Sequence, residues 1–225
     1  MSPRKASSLI GGETSQTLDR GIRLIELLAL PENGHGLTIT ELAQELGIGR
    51  AMVYRLVATL GERDYLRRDS SGRVRLGLGL ARIHQALVPM LADWATPVLR
   101  DLANALSATA HLTIADSAGA RAVAVVEPES TTFHMAYRAG SHHPLELGAA
   151  GRAILAGREG RDDLVFSQGE LQTSAYGAAM SVRANGPVEA SVGVVSLNPL
   201  NAPGVEVEIR AAATRLADLL DPRPA

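Results

Sequence analysis

The 225-residue sequence predicts an α+β protein made of two parts. Three short helical patterns and a hairpin pattern fill the first part, and a further helical segment follows them. Beyond residue 90 the hydrophobic period changes, and strand patterns alternate with helical ones up to the C-terminus. We therefore expect a small helical domain over residues 15–76, a linker helix over 77–90 and an α+β domain over 91–225.

The first three helices are predicted from apolar periodicity and from the residues at their ends. Residues 17–29 place their apolar side chains on one helical face. A second helix is predicted to begin after Thr38, a suitable N-cap with Glu41 three residues later, and to end at Gly47. A third helix is expected over about 49–63, after a short turn that contains glycine.

Two short strands, 65–68 and 73–76, are then predicted on either side of a four-residue turn at 69–72. Three helices followed by a hairpin describe a winged helix-turn-helix. In that arrangement the third helix fits the major groove of DNA, and the second helix crosses above it. The competing interpretation is a small helical bundle that contacts other proteins and whose arginines are simply solvated.

The charge is distributed unevenly between the two parts. Residues 1–83 contain 12 Lys and Arg against 9 Asp and Glu, whereas residues 84–225 contain 10 against 15. A basic first part beside an acidic remainder predicts an anionic partner for the first part only.

The predicted DNA contacts lie on the second helix, the third helix and the hairpin. Arg50 and Tyr54 stand one turn apart near the start of the third helix, which is the end that approaches base edges. Arginines on the hairpin can follow the phosphate backbone or enter the minor groove, and the start of the second helix can receive a phosphate. The predicted DNA-binding residues are Thr38, Thr40, Arg50, Tyr54, Arg55, Arg67, Arg68, Arg73 and Arg75.

The second part is predicted to contain about six strands. The helical pattern from 77 to 106 is interrupted by Pro89 and Pro97, and we expect Pro97 to begin a new helix. Two more helices are predicted, over 147–157 and 203–220. The predicted strands are 110–115, 122–127, 132–138, 164–167, 178–183 and 188–197, with a loop over 140–144.

Composition and motifs exclude several kinds of site. The absence of cysteine rules out disulfides, thiolate catalysis and cysteine-ligated metals. No apolar run reaches the ~18 residues of a membrane span, and no apolar leader follows Arg4 and Lys5, so we expect a cytoplasmic protein without a membrane partner. No catalytic residue, cofactor or metal is predicted; His134, His142 and His143 suggest a metal, but adjacent histidines on an extended segment point apart.

Eight blocks of sequence, in this order, resemble the IclR family of bacterial transcriptional regulators. The resemblance covers about residues 15–220. It implies an N-terminal winged helix-turn-helix, a linker helix, and a C-terminal GAF/profilin-like domain with an antiparallel sheet that binds a small molecule. It also implies homodimers or homotetramers on palindromic or repeated operators. The blocks are SQTLDRG (15–21), ITELA (39–43), VYRLVATL (53–60), VRLG (74–77), AGSHHPL (139–145), AAGRAILA (149–156), SQGELQ (167–172) and GPVEAS (186–191).

The sequence departs from the family pattern in two places. Gly49, Arg50 and Ala51 stand where the family usually has a proline and two small hydroxyl residues, so the base contacts are expected to differ. Only ten residues lie between Ala156 and Ser167, where relatives have a longer helical segment.

The resemblance places an effector against the sheet, beneath the loop and helix over 140–156. The matching positions are mostly small and apolar, which favours an apolar or aromatic ligand, because a buried carboxylate needs donors. The available donors are Ser167, His142, His143 and the first amides of the helix over 147–157. The alternative is that these small residues only permit tight packing of the helix on the sheet. The predicted effector-binding residues are Met135, Gly140, Ala149, Ala150, Ser167, Ala175, Gly177, Gly193 and Val195.

We therefore predict a ligand-responsive transcription regulator. Its expected partners are a double-stranded DNA operator, a small-molecule effector and further copies of the chain. Two alternatives stay open. One is a regulator that binds DNA constitutively and uses its C-terminal domain only to oligomerise. The other is an enzyme, for which the sequence offers no nucleophile–base pair.

Overall fold

A computed structural model describes residues 14–129, 137–184, 188–200 and 203–221. The chain divides into two units on either side of the Leu87–Val88 bond, and each unit has its own hydrophobic core. Within the described ranges, no helix is long and apolar enough to cross a membrane.

The N-terminal unit contains the three helices and the hairpin that the sequence predicts. Its core is formed by apolar residues from all three helices and from both strands, among them Leu24, Leu42 and Val53. The strands pair antiparallel, with Leu66 opposite Leu76; we call this hairpin the wing. The elements are α1 (Gln16–Ala29), a short 3-10 turn (Pro31–Asn33), α2 (Ile39–Leu46), α3 (Arg50–Glu62), β1 (Leu66–Arg68) and β2 (Val74–Leu76).

Local interactions fix both ends of α2. The Thr38 hydroxyl accepts a hydrogen bond from the Glu41 amide at 3.3 Å, and the Glu41 carboxylate accepts one from the Thr38 amide at 2.6 Å. At the other end Gly47 adopts a left-handed conformation, with φ at 65°, which glycine tolerates without strain. These two caps confirm the predicted bounds of α2 and determine where the chain turns toward α3.

Thr38→Val is expected to destabilise the N-terminal unit by about 1 kcal/mol, because it removes the cap acceptor and keeps the side-chain shape. Thr40→Val is the matched control, since Thr40 is exposed and makes no cap contact. Urea unfolding followed by circular dichroism measures both changes. Equal losses in the two variants would contradict a capping role for Thr38.

The C-terminal unit is built on a six-stranded antiparallel sheet. The strand order is β5-β4-β3-β8-β7-β6, with β3 and β8 in the centre. The helix α4 begins in the first unit and ends in the second. The elements are α4 (Gly79–Leu106), β3 (Thr109–Asp116), β4 (Gly119–Val126), β5 (His142–His143), α5 (Gly148–Arg158), β6 (Val165–Gln168), β7 (Tyr176–Val182), β8 (Ala190–Ser196) and α6 (Pro203–Leu220).

The two faces of the sheet have different coverings. Leu112 on β3 and Met180 on β7 lie in the main core together with α6 and the C-terminal half of α4. His111, Gly193 and Ala179 form a cross-strand row on the opposite face, where α5 packs. That second face is made of small and polar residues, so it leaves space between the helix and the strands.

Two expectations for the C-terminal part are wrong. Pro97 does not begin a new helix, because α4 continues through both Pro89 and Pro97. A proline inside a helix costs about 3 kcal/mol, and burial of Val98 and Leu99 in the main core offsets that cost.

The second error concerns the predicted loop over 140–144, which contains β5. His142 and His143 pair with Arg121 and Ala120 at the edge of the sheet. Gly119 makes this pairing possible, because a Cβ atom there would collide with the His143 carbonyl oxygen. The predicted strand 132–138 lies mostly outside the described residues, and its last two positions, Tyr137 and Arg138, are not in a strand.

Candidate functional site

The exposed side of α3 presents a basic surface. Val53, Leu56 and Val57 face the core, so Arg50, Tyr54 and Arg55 face outward. The Arg50 side chain has no hydrogen bond or ion pair to any described residue, and the Arg55 side chain has only a weak contact, 3.8 Å from its Nη2 to the Met52 sulfur. We call Arg50, Tyr54 and Arg55 the α3 face. Two of its three members are cations without an acidic partner in the described part of the chain.

The wing carries two further exposed arginines, and one of them, Arg68, lies beside the α3 face. The Arg68 guanidinium lies 5.8 Å from the centre of the Tyr54 ring and donates to the Gly72 carbonyl oxygen at 3.4 Å. Arg67 points the other way along the same strand and is exposed. Arg68 therefore joins the basic surface of the α3 face, whereas Arg67 is an exposed cation on the same strand.

The other two wing arginines bind within the protein. Arg73 donates to the Gly36 carbonyl oxygen and to the Glu41 carboxylate, at 2.8 and 3.2 Å. Arg75 donates to the Asp69 carboxylate at 2.9 Å and to the Gly34 carbonyl oxygen at 3.2 Å. Both side chains are half-buried, so they position the wing and have fewer donors left for an external partner.

Thr38, Thr40 and Asp69 complete the N-terminal surface. The Thr38 hydroxyl is engaged in the cap of α2, whereas Thr40 is exposed on the first turn. Hydrogen bonds from Ser71 and Arg75 hold the pKa of the Asp69 carboxyl well below its usual range. The turn between the two strands of the wing is therefore charged and ordered at neutral pH.

The C-terminal unit contains a partly open cavity of about 300 Å³ between α5 and the sheet; we call it the α5 cavity. It brings together six of the nine predicted effector-binding residues: Ala149, Ala150, Ser167, Ala175, Gly177 and Val195. Gly140 is exposed and does not line it. Gly193 lies in the same face of the sheet, but it packs against Ala178 and Ala179. Met135 lies outside the described residues.

Sequence reasoning missed most of the polar lining. These side chains come from β3, from the segment before β5, from β5 and from the loop between β6 and β7, which the fold brings to one end of α5. The cavity is therefore more polar than the sequence predicts. His143, which the sequence offers as a ligand donor, does line the cavity. The lining residues that were missed are His111, Tyr137, Arg138, Ser141, Glu170, Leu171 and Gln172.

His111 is a buried neutral imidazole in this lining. It is 2% exposed, its Nδ1 lies 3.2 Å from the Thr113 hydroxyl, and its ring meets the edge of Tyr137 with the centroids 5.4 Å apart. Burial, with a smaller contribution from His143, lowers the pKa of His111 to about 4. The ring is therefore uncharged at neutral pH.

The lowered pKa of His111 predicts a loss of stability in acid. Between about pH 6.5 and pH 4, His111 is protonated in the unfolded chain but stays neutral in the folded chain. The free energy of unfolding therefore falls as the pH is lowered through this range, and it levels off near pH 4. The expected loss is up to about 3 kcal/mol. His111→Gln, which does not titrate, should flatten this part of the pH profile in urea unfolding. An unchanged profile would contradict the prediction.

His143 presents a different hydrogen-bonding pattern. Its Nδ1 lies 3.0 Å from the Pro144 carbonyl oxygen. A carbonyl oxygen only accepts, so Nδ1 holds the proton. Its Nε2 is buried and has no hydrogen-bond partner among the described residues. The neighbouring His142 is exposed and lies 2.8 Å from the Asp116 carboxylate, away from the cavity.

Glu170 connects the loop between β6 and β7 to the first turns of α5. One oxygen of its carboxylate accepts from the Gly148 amide at 2.8 Å, and the other pairs with Arg152 at 2.8 Å. Arg152 also donates to the Phe166 carbonyl oxygen. The first amide of α5, which the sequence suggests as a donor for a ligand, is therefore already occupied.

The described residues contain no group of three histidine, cysteine or acidic side chains that could hold a metal ion. His134 lies outside them.

Comparison with known proteins shows similarity along most of the chain. The IclR helix-turn-helix domain model matches residues 17–70, and the model described as the bacterial transcriptional regulator IclR C-terminal domain matches residues 85–177. The chain is 32% identical over 138 residues to the HTH-type transcriptional regulator KipR of Bacillus subtilis, covering 60% of this chain and 54% of KipR.

A second relative is the transcriptional repressor IclR of Escherichia coli, 26% identical over 145 residues, with 63% of this chain and 52% of that protein covered. The chain thus spans about half the length of the curated relatives it matches. Among solved structures, an IclR-family regulator from Rhodococcus sp. aligns with a TM-score of 0.61 and 21% identity over 98% of this chain and 99% of that one. Two domain models of one family, matched in order, together with these relatives show that the chain belongs to the IclR family of bacterial transcriptional regulators.

Proposed function

We propose that the chain is a DNA-binding transcription regulator that responds to a small organic effector. The observation that supports DNA binding most strongly is the α3 face, where Arg50 and Arg55 are exposed beside Tyr54 and form no ion pair with any described residue. A helix with this face fits the major groove, and a guanidinium can bind a guanine edge through two hydrogen bonds.

The wing and α2 supply the contacts that orient α3. Arg67 and Arg68 extend from β1 and bind the phosphate backbone or the adjacent minor groove. Thr40, on the exposed first turn of α2, binds a phosphate. Arg73 and Arg75 act indirectly, because their bonds to Glu41 and Asp69 hold the wing in place. Thr38 acts in the same way through the cap of α2.

The α5 cavity is the proposed effector site. Its volume of about 300 Å³ suits a small metabolite. Ala149, Ala150, Leu171, Ala175 and Val195 offer an apolar wall, which suits an apolar or aromatic body. This cavity favours a ligand-responsive regulator over one whose C-terminal unit only oligomerises. No catalytic residue is assigned, and we propose no enzymatic activity.

The regulator works in this proposal as a homodimer or homotetramer in the bacterial cytoplasm. Two copies of α3 then meet two half-sites of one operator. Effector binding changes the populations of two placements of the DNA-binding units, and therefore the half-site spacing that they fit. A ligand shifts this balance only if it binds one placement more tightly.

Selection from a random duplex pool, followed by fluorescence-anisotropy titration, tests the proposal. The full chain should bind a selected duplex more tightly than a scrambled duplex of equal length. The affinity should fall steeply with salt, because phosphate contacts release counterions. At least one compound from a metabolite library should change the affinity for the selected duplex. Equal binding to both duplexes would overturn the DNA-binding proposal, and a library without effect would favour constitutive binding.

A further inference from the structure

We propose that the α5 cavity selects ligands with a neutral hydrogen-bond donor, such as a hydroxyl group, and that His143 Nε2 accepts this bond. The inference rests on the proposed effector function and names the chemical class that the site recognises. It makes His143 the residue that determines specificity.

The unpaired nitrogen of His143 is the starting point. His143 is 8% exposed, it lines the α5 cavity, and its Nε2 has no partner among the described residues. Buried polar atoms in folded proteins nearly always have a hydrogen-bond partner, because burial removes their hydrogen bonds to water and an unpaired atom gains none in return. Because the His143 side chain lines the cavity, a ligand that reaches this ring can supply the missing partner of its buried nitrogen.

The backbone determines which kind of partner this nitrogen accepts. Nδ1 donates a proton to the Pro144 carbonyl oxygen, so in the tautomer that makes this bond the lone pair lies on Nε2. That lone pair accepts a hydrogen bond and cannot donate one. An ether or ketone oxygen on the ligand would leave Nε2 unsatisfied, whereas a hydroxyl, amide or amine hydrogen would satisfy it.

The surrounding charges disfavour an anion at this end of the cavity. Glu170 also lines the cavity, and its carboxylate accepts the hydrogen bond of the Gly148 amide. That amide is therefore not available to a carboxylate of the ligand. The neighbouring His111 is neutral at pH 7, because its pKa is lowered to about 4. Arg138 is the cation of the lining without a side-chain partner among the described residues, and it is exposed. Any anionic group of the ligand therefore belongs at the open side.

Three probes of similar size separate these possibilities: benzyl alcohol, benzyl methyl ether and benzoate. They offer a donor, an oxygen without a donor, and an anion. Titration calorimetry of the full chain should show benzyl alcohol binding about ten-fold more tightly than either of the others, which corresponds to about 1.4 kcal/mol. His143→Phe should abolish this preference, and His143→Gln, which keeps an acceptor, should retain part of it. His142→Ala is the matched control and should leave the preference unchanged.

A measurement on the unmodified chain does not depend on how the variants fold. The ¹⁵N resonance of His143 Nε2 should move upfield with benzyl alcohol and stay in place with the ether. No preference in the wild-type chain, no binding of any probe, or a preference that survives His143→Phe would each overturn the inference. Because duplex binding through α3 is measured separately, a failure here leaves the DNA-binding proposal intact, and the reverse also holds.

Discussion

Replacement of both Arg50 and Arg55 by alanine is expected to weaken binding to a selected duplex by about 30-fold or more. Each arginine that contacts a base contributes about 1–3 kcal/mol, so two such losses amount to at least about 2 kcal/mol. Both side chains are exposed and pair with no acidic group of the described ranges, so the N-terminal unit should unfold at an unchanged urea concentration. Fluorescence anisotropy measures the affinity, and circular dichroism checks the fold.

The control is the double variant Arg100→Ala with Arg215→Ala. It removes the same charge from exposed positions of the C-terminal unit, where these arginines pair with Glu129 and Asp101. If the control loses as much affinity as the α3 variant, the effect is one of net charge, and the α3 face does not read the duplex.

Gly193→Ala is expected to destabilise the C-terminal unit by about 3 kcal/mol, at the upper end of the cost of overpacking a core. A Cβ atom at this position would lie 2.6 Å from the Ala179 Cβ and would also collide with the Ala178 carbonyl oxygen. Both neighbours belong to β7, which pairs with β8, so neither can move without disturbing the ladder. Urea unfolding of the full chain measures this loss.

Gly204→Ala in α6 is the matched control, since a Cβ atom there meets nothing within 4 Å. It should be neutral or stabilise the unit by up to about 1 kcal/mol, because alanine favours the helix. If Gly193→Ala proved as harmless as the control, close packing would not explain this glycine. The sequence-based assignment of Gly193 to the effector site would then regain its support.

The N-terminal unit could be predicted from sequence because its signals are local. The capping box of Thr38 and Glu41, the left-handed Gly47 and the turn at 69–72 each depend on residues close together in the chain. Nothing local shows that Arg73 reaches Glu41, 32 residues away, so the sequence assigned all four wing arginines to DNA.

The α5 cavity could be predicted only in part, for the same physical reason. Resemblance placed Ala149, Ala150 and Gly177, but the polar lining depends on strand register. His111 and Val195 share the cavity because β3 and β8 are neighbours, and His143 joins them because β5 pairs with β4. None of these pairings is visible in the hydrophobic pattern of a single strand.

Site-directed cleavage of DNA from α3 shows directly whether this helix enters the duplex. The chain has no natural cysteine, so Ala51→Cys provides a single thiol on an exposed position of α3 to which an iron–EDTA group can be attached. We expect the labelled chain to cut a selected duplex at a few adjacent nucleotides within the bound site. The same label at Ala211→Cys, exposed on α6, should not give this pattern. Uniform cleavage, or the same pattern from both positions, would contradict the claim that α3 enters the duplex.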